Sequence, residues 1–307
     1  MLVVFPSVRL IRGCLPDHRL VLVCREAYGK LLEETNVVDA LISWNDRKVA
    51  GLFYEAEDSG LRTEWLRDYS ILAGWMMGMQ GAYLETRCRG LGMDQCYFVG
   101  PPENSAESLS RHYFEGTKAL LRGFLPGNGR EWSAFEECAR LPINDGMRKE
   151  SLRFFGMDHG GEAPEFAIIH PGSGSVRKRW PLANFLEVAR EWSDRGLRGI
   201  LVTGEAEEDL AEELARVSLP AGWRLFSAPP LRELAALLTA CSIYLGNDSG
   251  VTHLAAACGC RVLSLFRRDL FALWKPYGNA RVLAEDDVSV IKIDRVLNTA
   301  SKILDRK

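Results

Sequence analysis

The chain has 307 residues, 47% of them hydrophobic and 26% charged, with a formal net charge of −3 at pH 7. That length suits two domains and that balance suits a soluble globular protein; the charge gives no ground for nucleic acid as the main partner. No apolar run reaches the roughly 18–20 residues that span a bilayer, no basic segment precedes an apolar one as in a secretory leader, and the eight cysteines include no C-x-x-C pair, so they read as buried free thiols in a reducing cytoplasm.

The first predicted element is helical, with apolar spacing over Ser7-Val8-Arg9-Leu10-Ile11-Arg12. An α/β domain ordinarily starts on a strand, so this beginning is unusual. The run 20–24 then reads as a buried strand, 25–34 as a helix and 40–43 as a second strand. Strands are expected within 69–77 and at 96–99. Breakers follow at 101–105, a helix at 107–123 and a second breaker cluster at 125–129. A short helix is expected at 147–155, and the glycine-rich stretch 156–164 reads as a linker.

The second half alternates cleanly. Strand 166–170 leads through a Pro-Gly-Ser-Gly-Ser loop into an amphipathic helix at 182–195. Strand 199–203, an acidic helix at 205–217, a short strand at 224–226 and a helix at 231–241 come next. Strand 242–245, helix 251–258 and strand 261–266 follow, with a last amphipathic helix at 288–304. Strand and helix in alternation predict parallel sheets with crossover helices in both halves. The expected division is 1–155, 156–287 and a C-terminal helix at 288–307.

Two stretches carry the chemistry. Asn247-Asp248-Ser249-Gly250 is a sharp strand-to-helix turn. Gly250 admits close approach of a ligand, and the helix beyond it offers unpaired N–H groups and the positive end of its dipole to an anion. His253, one turn in, can point back at the same spot. Helix capping by Asp248 or Ser249 is the plain alternative, and it accounts for one of these residues but not for all. The second stretch is His170-Pro171-Gly172-Ser173-Gly174-Ser175-Val176-Arg177-Lys178-Arg179-Trp180-Pro181. Its small residues expose backbone donors and three consecutive cations stand beside them, as a diphosphate requires. It is not a Walker A loop, because G-x-x-x-x-G-K-[ST] is absent. Both loops leave the carboxyl ends of strands in one sheet, the edge at which open α/β sheets bind ligands.

Together HPGSGSVRKRWP and GNDSGVTHLAAACG resemble glycosyltransferase family 9, the ADP-heptose:lipopolysaccharide heptosyltransferases. The resemblance is strong over 165–270, weak over 45–150, and extends to Phe5-Pro6-Ser7-Val8-Arg9 through Leu32. It implies an α/β GT-B fold: two Rossmann-like domains facing across a cleft, the N-terminal one for the acceptor and the C-terminal one for a nucleotide-sugar. It places Gly172, Ser173 and Lys178 at the donor diphosphate, with backbone and hydroxyl donors from Ser249 and Gly250. Asp248 and His253 fall by the diphosphate and sugar, Glu207 (or Glu208) at the ribose hydroxyls, and the adenine near Pro230-Leu231. The implied reaction moves a heptose or related sugar from an ADP-sugar to a lipopolysaccharide-core-type acceptor, without metal or other cofactor. A lipid-linked saccharide acceptor and a cytoplasmic location, peripheral at the inner membrane, go with it.

The family's base is an Asp in an N-terminal Gly-Asp motif after the first strand. That motif would lie ahead of Leu2-Val3-Val4-Phe5-Pro6 and is not in the chain, so no catalytic residue is assigned. A start codon placed too far downstream is the expected reason, a truncated relative the alternative. Asp17 and His18 are expected at the opposite rim and do not replace the base. Lone His112 and His159 read as exposed, and Trp65, Trp75 and Trp132 as packing or as walls of the acceptor side. Two rivals stand beside the transferase: a GT-B relative that binds a nucleotide-sugar or a partner without turnover, and a UDP-sugar enzyme such as an epimerase.

Overall fold

A computed structural model of the chain describes residues 2–53, 63–76, 80–103, 107–125, 132–157, 165–205 and 207–305. His159, most of the expected linker at 156–164 and most of the breaker cluster at 125–129 lie outside these residues. The chain forms two compact units, Val3–Cys138 and Ala139–Lys307.

The first unit opens on helix α1 (Phe5–Cys14), with Pro6 in its first turn and Phe5, Ser7, Val8 and Leu10 all buried. The fixed φ of proline and its missing N–H suit that position. Strand β1 (Val21–Cys24) runs parallel to β2 (Ala40–Ser43), with α2 (Glu26–Glu34) as the crossover. A single turn, α3 (Arg47–Ala50), is capped by the Asp46 carboxylate, which accepts from the Lys48 N–H. Strand β3 (Leu72–Trp75) pairs parallel with β4 (Cys96–Val99) across α4 (Gln80–Gly90). Helices α5 (Leu109–Phe124) and α6 (Phe135–Cys138) complete the unit. Among the described residues the four strands form two separate two-stranded pairs.

The second unit begins with α7 (Asp145–Phe154), capped by Asn144. Strands and helices then alternate: β5 (Phe166–His170), α8 (Leu182–Asp194), β6 (Arg198–Thr203), α9 (Glu208–Ala215), β7 (Trp223–Ser227) and α10 (Leu231–Leu238). The alternation continues with β8 (Ile243–Asn247), α11 (Gly250–Ala257), β9 (Val262–Arg267), α12 (Arg268–Trp274), β10 (Ala280–Glu285) and α13 (Ile293–Leu304). The six strands form one parallel sheet in the order β10-β9-β8-β5-β6-β7. The chain winds outward from β5 through β6 to β7, returns to the other side of β5, and winds outward again. The order therefore reverses between β5 and β8, the doubly wound arrangement.

Helices on both faces explain the composition of the central strands. Every residue of β5 and of β8 is buried, so these strands are apolar runs rather than alternating ones. Phe166, Ile168, Ile169, Ile243 and Leu245 have no exposure, and each such side chain contributes about 1.5–3 kcal/mol by burial.

The units divide between Cys138 and Ala139, whereas the sequence pattern predicts a boundary at 155/156. Helix α7 lies with the second unit because it packs there. The Ser151 hydroxyl donates to the Glu233 carbonyl at 2.6 Å, and the Phe155 ring meets Phe226 edge-on with centroids 4.6 Å apart. The predicted terminal segment 288–307 is likewise no separate body: Val296, Ala300 and Ile303 join the same buried cluster as Ile169 and Leu245.

Gly199 in β6 is required by packing. A Cβ there would lie 2.4 Å from the ring of Trp223, which is buried and stacked on Trp192. Gly199→Ala is expected to cost about 1–3 kcal/mol by overpacking, read as a lower urea midpoint with an unchanged slope.

Candidate functional site

The loops after β5 and β8 leave neighbouring strands at the point where the strand order reverses, with His170 in register with Gly246. One buried side chain joins them. Asn247 ends β8 with no exposure; its Oδ1 accepts the Trp180 N–H at 3.0 Å and its Nδ2 donates to the Pro171 carbonyl at 2.8 Å. Ser173 adds a second link, its hydroxyl donating to the Asp248 carbonyl at 2.7 Å. The Arg179 Nε in turn donates to the Ser173 carbonyl at 3.2 Å. Trp180 anchors the end of the loop: its indole N–H donates to the Ile291 carbonyl at 2.9 Å and its ring packs edge-on against Phe185.

The three consecutive cations of the first loop separate. Lys178 Nζ lies 2.8 Å from Asp248 Oδ2, in a pair whose carboxylate is buried and whose ammonium is about a third exposed. Arg179 reaches Asp209 at 2.6 Å. Arg177 points outward and is exposed.

Ser249 is the N-cap of α11, its Oγ accepting the Thr252 N–H at 3.3 Å. The capping reading therefore holds for this residue, and it does not exhaust the turn. Ser249 Oγ is also 3.3 Å from His170 Nδ1. Gly250 opens the helix, where first-turn N–H groups have no intrahelical partner. His253 is buried, and burial lowers its pKa to about 4 against the opposing pull of Asp248. Its Nδ1 is buried without a hydrogen-bond partner.

Glu207, just ahead of α9, comes to the same place. Its Oε2 accepts the Gly204 N–H at 2.8 Å and lies 3.1 Å from His170 Nε2. Burial pushes its pKa up, but the His170 contact, the Gly204 N–H and Arg179 outweigh it and hold the carboxyl below its ordinary value. Gly172 is glycine for this reason: a Cβ there would fall 2.0 Å from the Glu207 carboxylate.

Gly172, Ser173, Lys178, Glu207, Asp248, Ser249, Gly250 and His253 thus lie on or beside the two loops of the switch point. His170 and Asn247 lie there as well; the sequence pattern includes both in its two stretches without giving either an individual contact. A histidine ending an otherwise apolar buried strand was the available signal for the first. Elsewhere, Asp17 and His18 are exposed and precede β1, at its amino end. His112 is not an exposed ring: it is partly buried, with Nε2 3.1 Å from the Gly100 carbonyl and Nδ1 3.4 Å from Glu107. Trp65 donates to the Lys48 carbonyl and Trp75 to Thr117, as packing residues do.

A doubly wound parallel sheet with two small-residue loops meeting at its switch point defines an α/β protein of the kind that takes its ligand at the carboxyl edge of the sheet. Comparison with known proteins makes the class specific. The model of glycosyltransferase family 9 (heptosyltransferase) matches residues 131–289. Lipopolysaccharide heptosyltransferase 3 of Escherichia coli K12 is 30% identical over 294 residues, covering 90% of this chain and 82% of that protein. Other matches to curated heptosyltransferases are local and span 36–38% of the relative's length. Among solved structures, E. coli ADP-heptose lps heptosyltransferase II superposes with a TM-score of 0.72 at 19% identity, covering 99% of this chain and 95% of that one. The E. coli heptosyltransferase WaaC with ADP gives a TM-score of 0.66 at 17% identity, covering 98% and 95%. The chain belongs to glycosyltransferase family 9, the heptosyltransferases.

His253 makes a pH dependence. Its folded pKa, about 4, lies below the ordinary value near 6.5, so between the two the unfolded chain binds more protons. The neutral buried ring costs nothing above about pH 6.5, and stability falls as pH drops through the window toward 4, by on the order of 3 kcal/mol. His253→Gln is expected to remove this slope. Urea melts of both proteins at pH 7, 5.5 and 4.5 should converge as pH falls.

Proposed function

We propose that this chain transfers a heptose or a related sugar from an ADP-sugar to a lipopolysaccharide-core-type acceptor. One observation carries the donor side: the Asn247 amide and the Ser173 hydroxyl bind two anion-ready loops into a single cradle, with the Lys178 ammonium and the first turn of α11 at its edge. Family membership supports the reaction class.

In this reading the diphosphate sits between Lys178 and the N–H groups that begin α11, beside Ser173, Ser249 and Gly250. As the sugar–oxygen bond breaks, negative charge grows on the departing diphosphate. A fixed ammonium and aimed backbone dipoles stabilise it at that moment without rearrangement. They do so with protein groups alone, and the reading calls on no metal or other cofactor. Glu207, held by Gly204 and His170, presents a carboxylate to the ribose hydroxyls. Asp248 keeps Lys178 in place, and neutral His253 lies one turn into the helix near the sugar. No residue of the cradle is assigned to the acceptor proton. Among the described residues no helix is long and apolar enough to cross a membrane. A lipid-linked saccharide acceptor, met by peripheral association at the cytoplasmic face of the inner membrane, completes the proposal.

Lys178→Ala is expected to lower kcat about a hundredfold, because it removes a charge aimed at the leaving group, while ADP binding weakens less. Steady-state transfer from ADP-heptose to a purified lipopolysaccharide core checks this. ADP-heptose binding with neither transfer nor hydrolysis would favour the non-catalytic relative, and preference for a UDP-sugar would favour the epimerase class.

A further inference from the structure

His170 touches residues assigned to opposite ends of the donor. It closes β5 at the switch point with 2% exposure. Its Nε2 is 3.1 Å from Glu207 Oε2 and its Nδ1 is 3.3 Å from Ser249 Oγ. An ionised carboxylate only accepts, so Nε2 carries the proton and donates to Glu207. With its proton on Nε2 alone, the ring has an acceptor at Nδ1, and the hydrogen that Nδ1 takes comes from the Ser249 hydroxyl, whose oxygen also lies 3.3 Å from Thr252 Oγ1. The Ser249 oxygen meanwhile accepts the Thr252 N–H. With its hydrogen turned to the imidazole, the Ser249 oxygen keeps a lone pair aimed at the Thr252 N–H, and this holds in order the first turn of α11, whose remaining N–H groups face the diphosphate in the donor-site reading. The diphosphate then draws its donors from Lys178 and the backbone at the start of α11.

We propose that His170 is a positioning residue for donor binding, one ring nitrogen holding the Glu207 carboxylate for the ribose and the other fixing the direction of the Ser249 hydroxyl at the diphosphate. A single buried side chain sets both ends of the nucleotide site, and each end is lost separately when the corresponding nitrogen is lost. This inference rests on the donor-site reading given above.

Two substitutions separate the arms. In His170→Gln the side-chain amide reaches toward the place of Nε2, keeping a donor for Glu207 and giving up Ser249. In His170→Asn the shorter amide stands near the place of Nδ1, keeping a partner for Ser249 and giving up Glu207. Calorimetry on the full chain with adenosine, inorganic pyrophosphate and ADP reads each end and the whole. His170→Gln is expected to weaken pyrophosphate about tenfold and leave adenosine within about twofold; His170→Asn is expected to do the reverse; ADP weakens in both. Wild-type affinities for all three probes in both variants would overturn the proposal and leave the donor-site reading intact. Uniform weakening of all three probes in both variants, with a lowered melting temperature, would reduce His170 to a structural residue and overturn it as well. A wild-type chain that does not bind ADP would remove the donor-site reading itself, and this inference with it.

Discussion

The site depends on one amide. At the switch point of a doubly wound sheet, the loops after two adjacent strands turn to opposite faces, and nothing in the strand ladder holds them together. Asn247 does so, because a carboxamide carries a donor and an acceptor in one rigid plane. It spends the donor on the Pro171 carbonyl and the acceptor on the Trp180 N–H. Both are fully buried, so a lost partner would leave groups whose desolvation costs about 1–3 kcal/mol each. Aspartate would keep the acceptor and lose the donor; leucine would keep neither. With Pro171 and Trp180 fixed, the intervening loop has a set path. Lys178, two residues before the anchored Trp180, is placed over Asp248 by that path.

Charge in the cradle is arranged as partners. Asp248 faces Lys178, Glu207 accepts a hydrogen bond from His170 Nε2, and Arg179 is shared between Asp209 and the Ser173 carbonyl. Buried ion pairs contribute little net stability, because desolvation offsets the attraction. Their presence here is better explained by position than by energy. Each pair fixes a group that a nucleotide diphosphate would use: a cation for the phosphates, a carboxylate for the ribose. Asp248 itself is tied through its carbonyl to the Ser173 hydroxyl, so the cation on one loop is aimed by an anion on the other.

The parts legible from the sequence are those whose signal is local. Strands β5, β6, β8 and β9 are buried on both faces, and a run such as Phe166-Ala167-Ile168-Ile169 shows this directly. The strand expected within 69–77 is present as Leu72–Trp75. Strand β10 is at the edge of the sheet, carries Arg281 and Glu285 and is only partly buried, so its apolar content does not stand out. Helix α4 buries only Gly81, Leu84 and Cys88, too narrow a face for a clear period. The same distinction divides the site. Glycines, serines and a lysine in a loop after a strand are visible as a motif. Hydrogen bonds from Asn247 to Pro171 and from His170 to Glu207 join positions 76 and 37 residues apart, and no reading of neighbours finds them. Gly172 shows the mixture: the sequence marks it as one of the small residues that expose backbone donors, and the structure adds that it makes room for Glu207.

Capping and ligand binding, set against each other in the sequence, do not compete for the same groups of the turn. The Ser249 oxygen satisfies the Thr252 N–H, which is one of the four donors a helix leaves unpaired at its start. The others remain for an anion, and the dipole that favours one is unaffected by the cap. A capped helix is in fact the better anion site. Its first turn is already ordered, so the ordering entropy that a frayed terminus would lose on binding has been met in folding. The same holds for Lys178, whose ammonium is restrained by Asp248 before any donor arrives. In the proposed reading a diphosphate would exchange partners with groups already in place, and such a site favours ligands whose charges match its spacing.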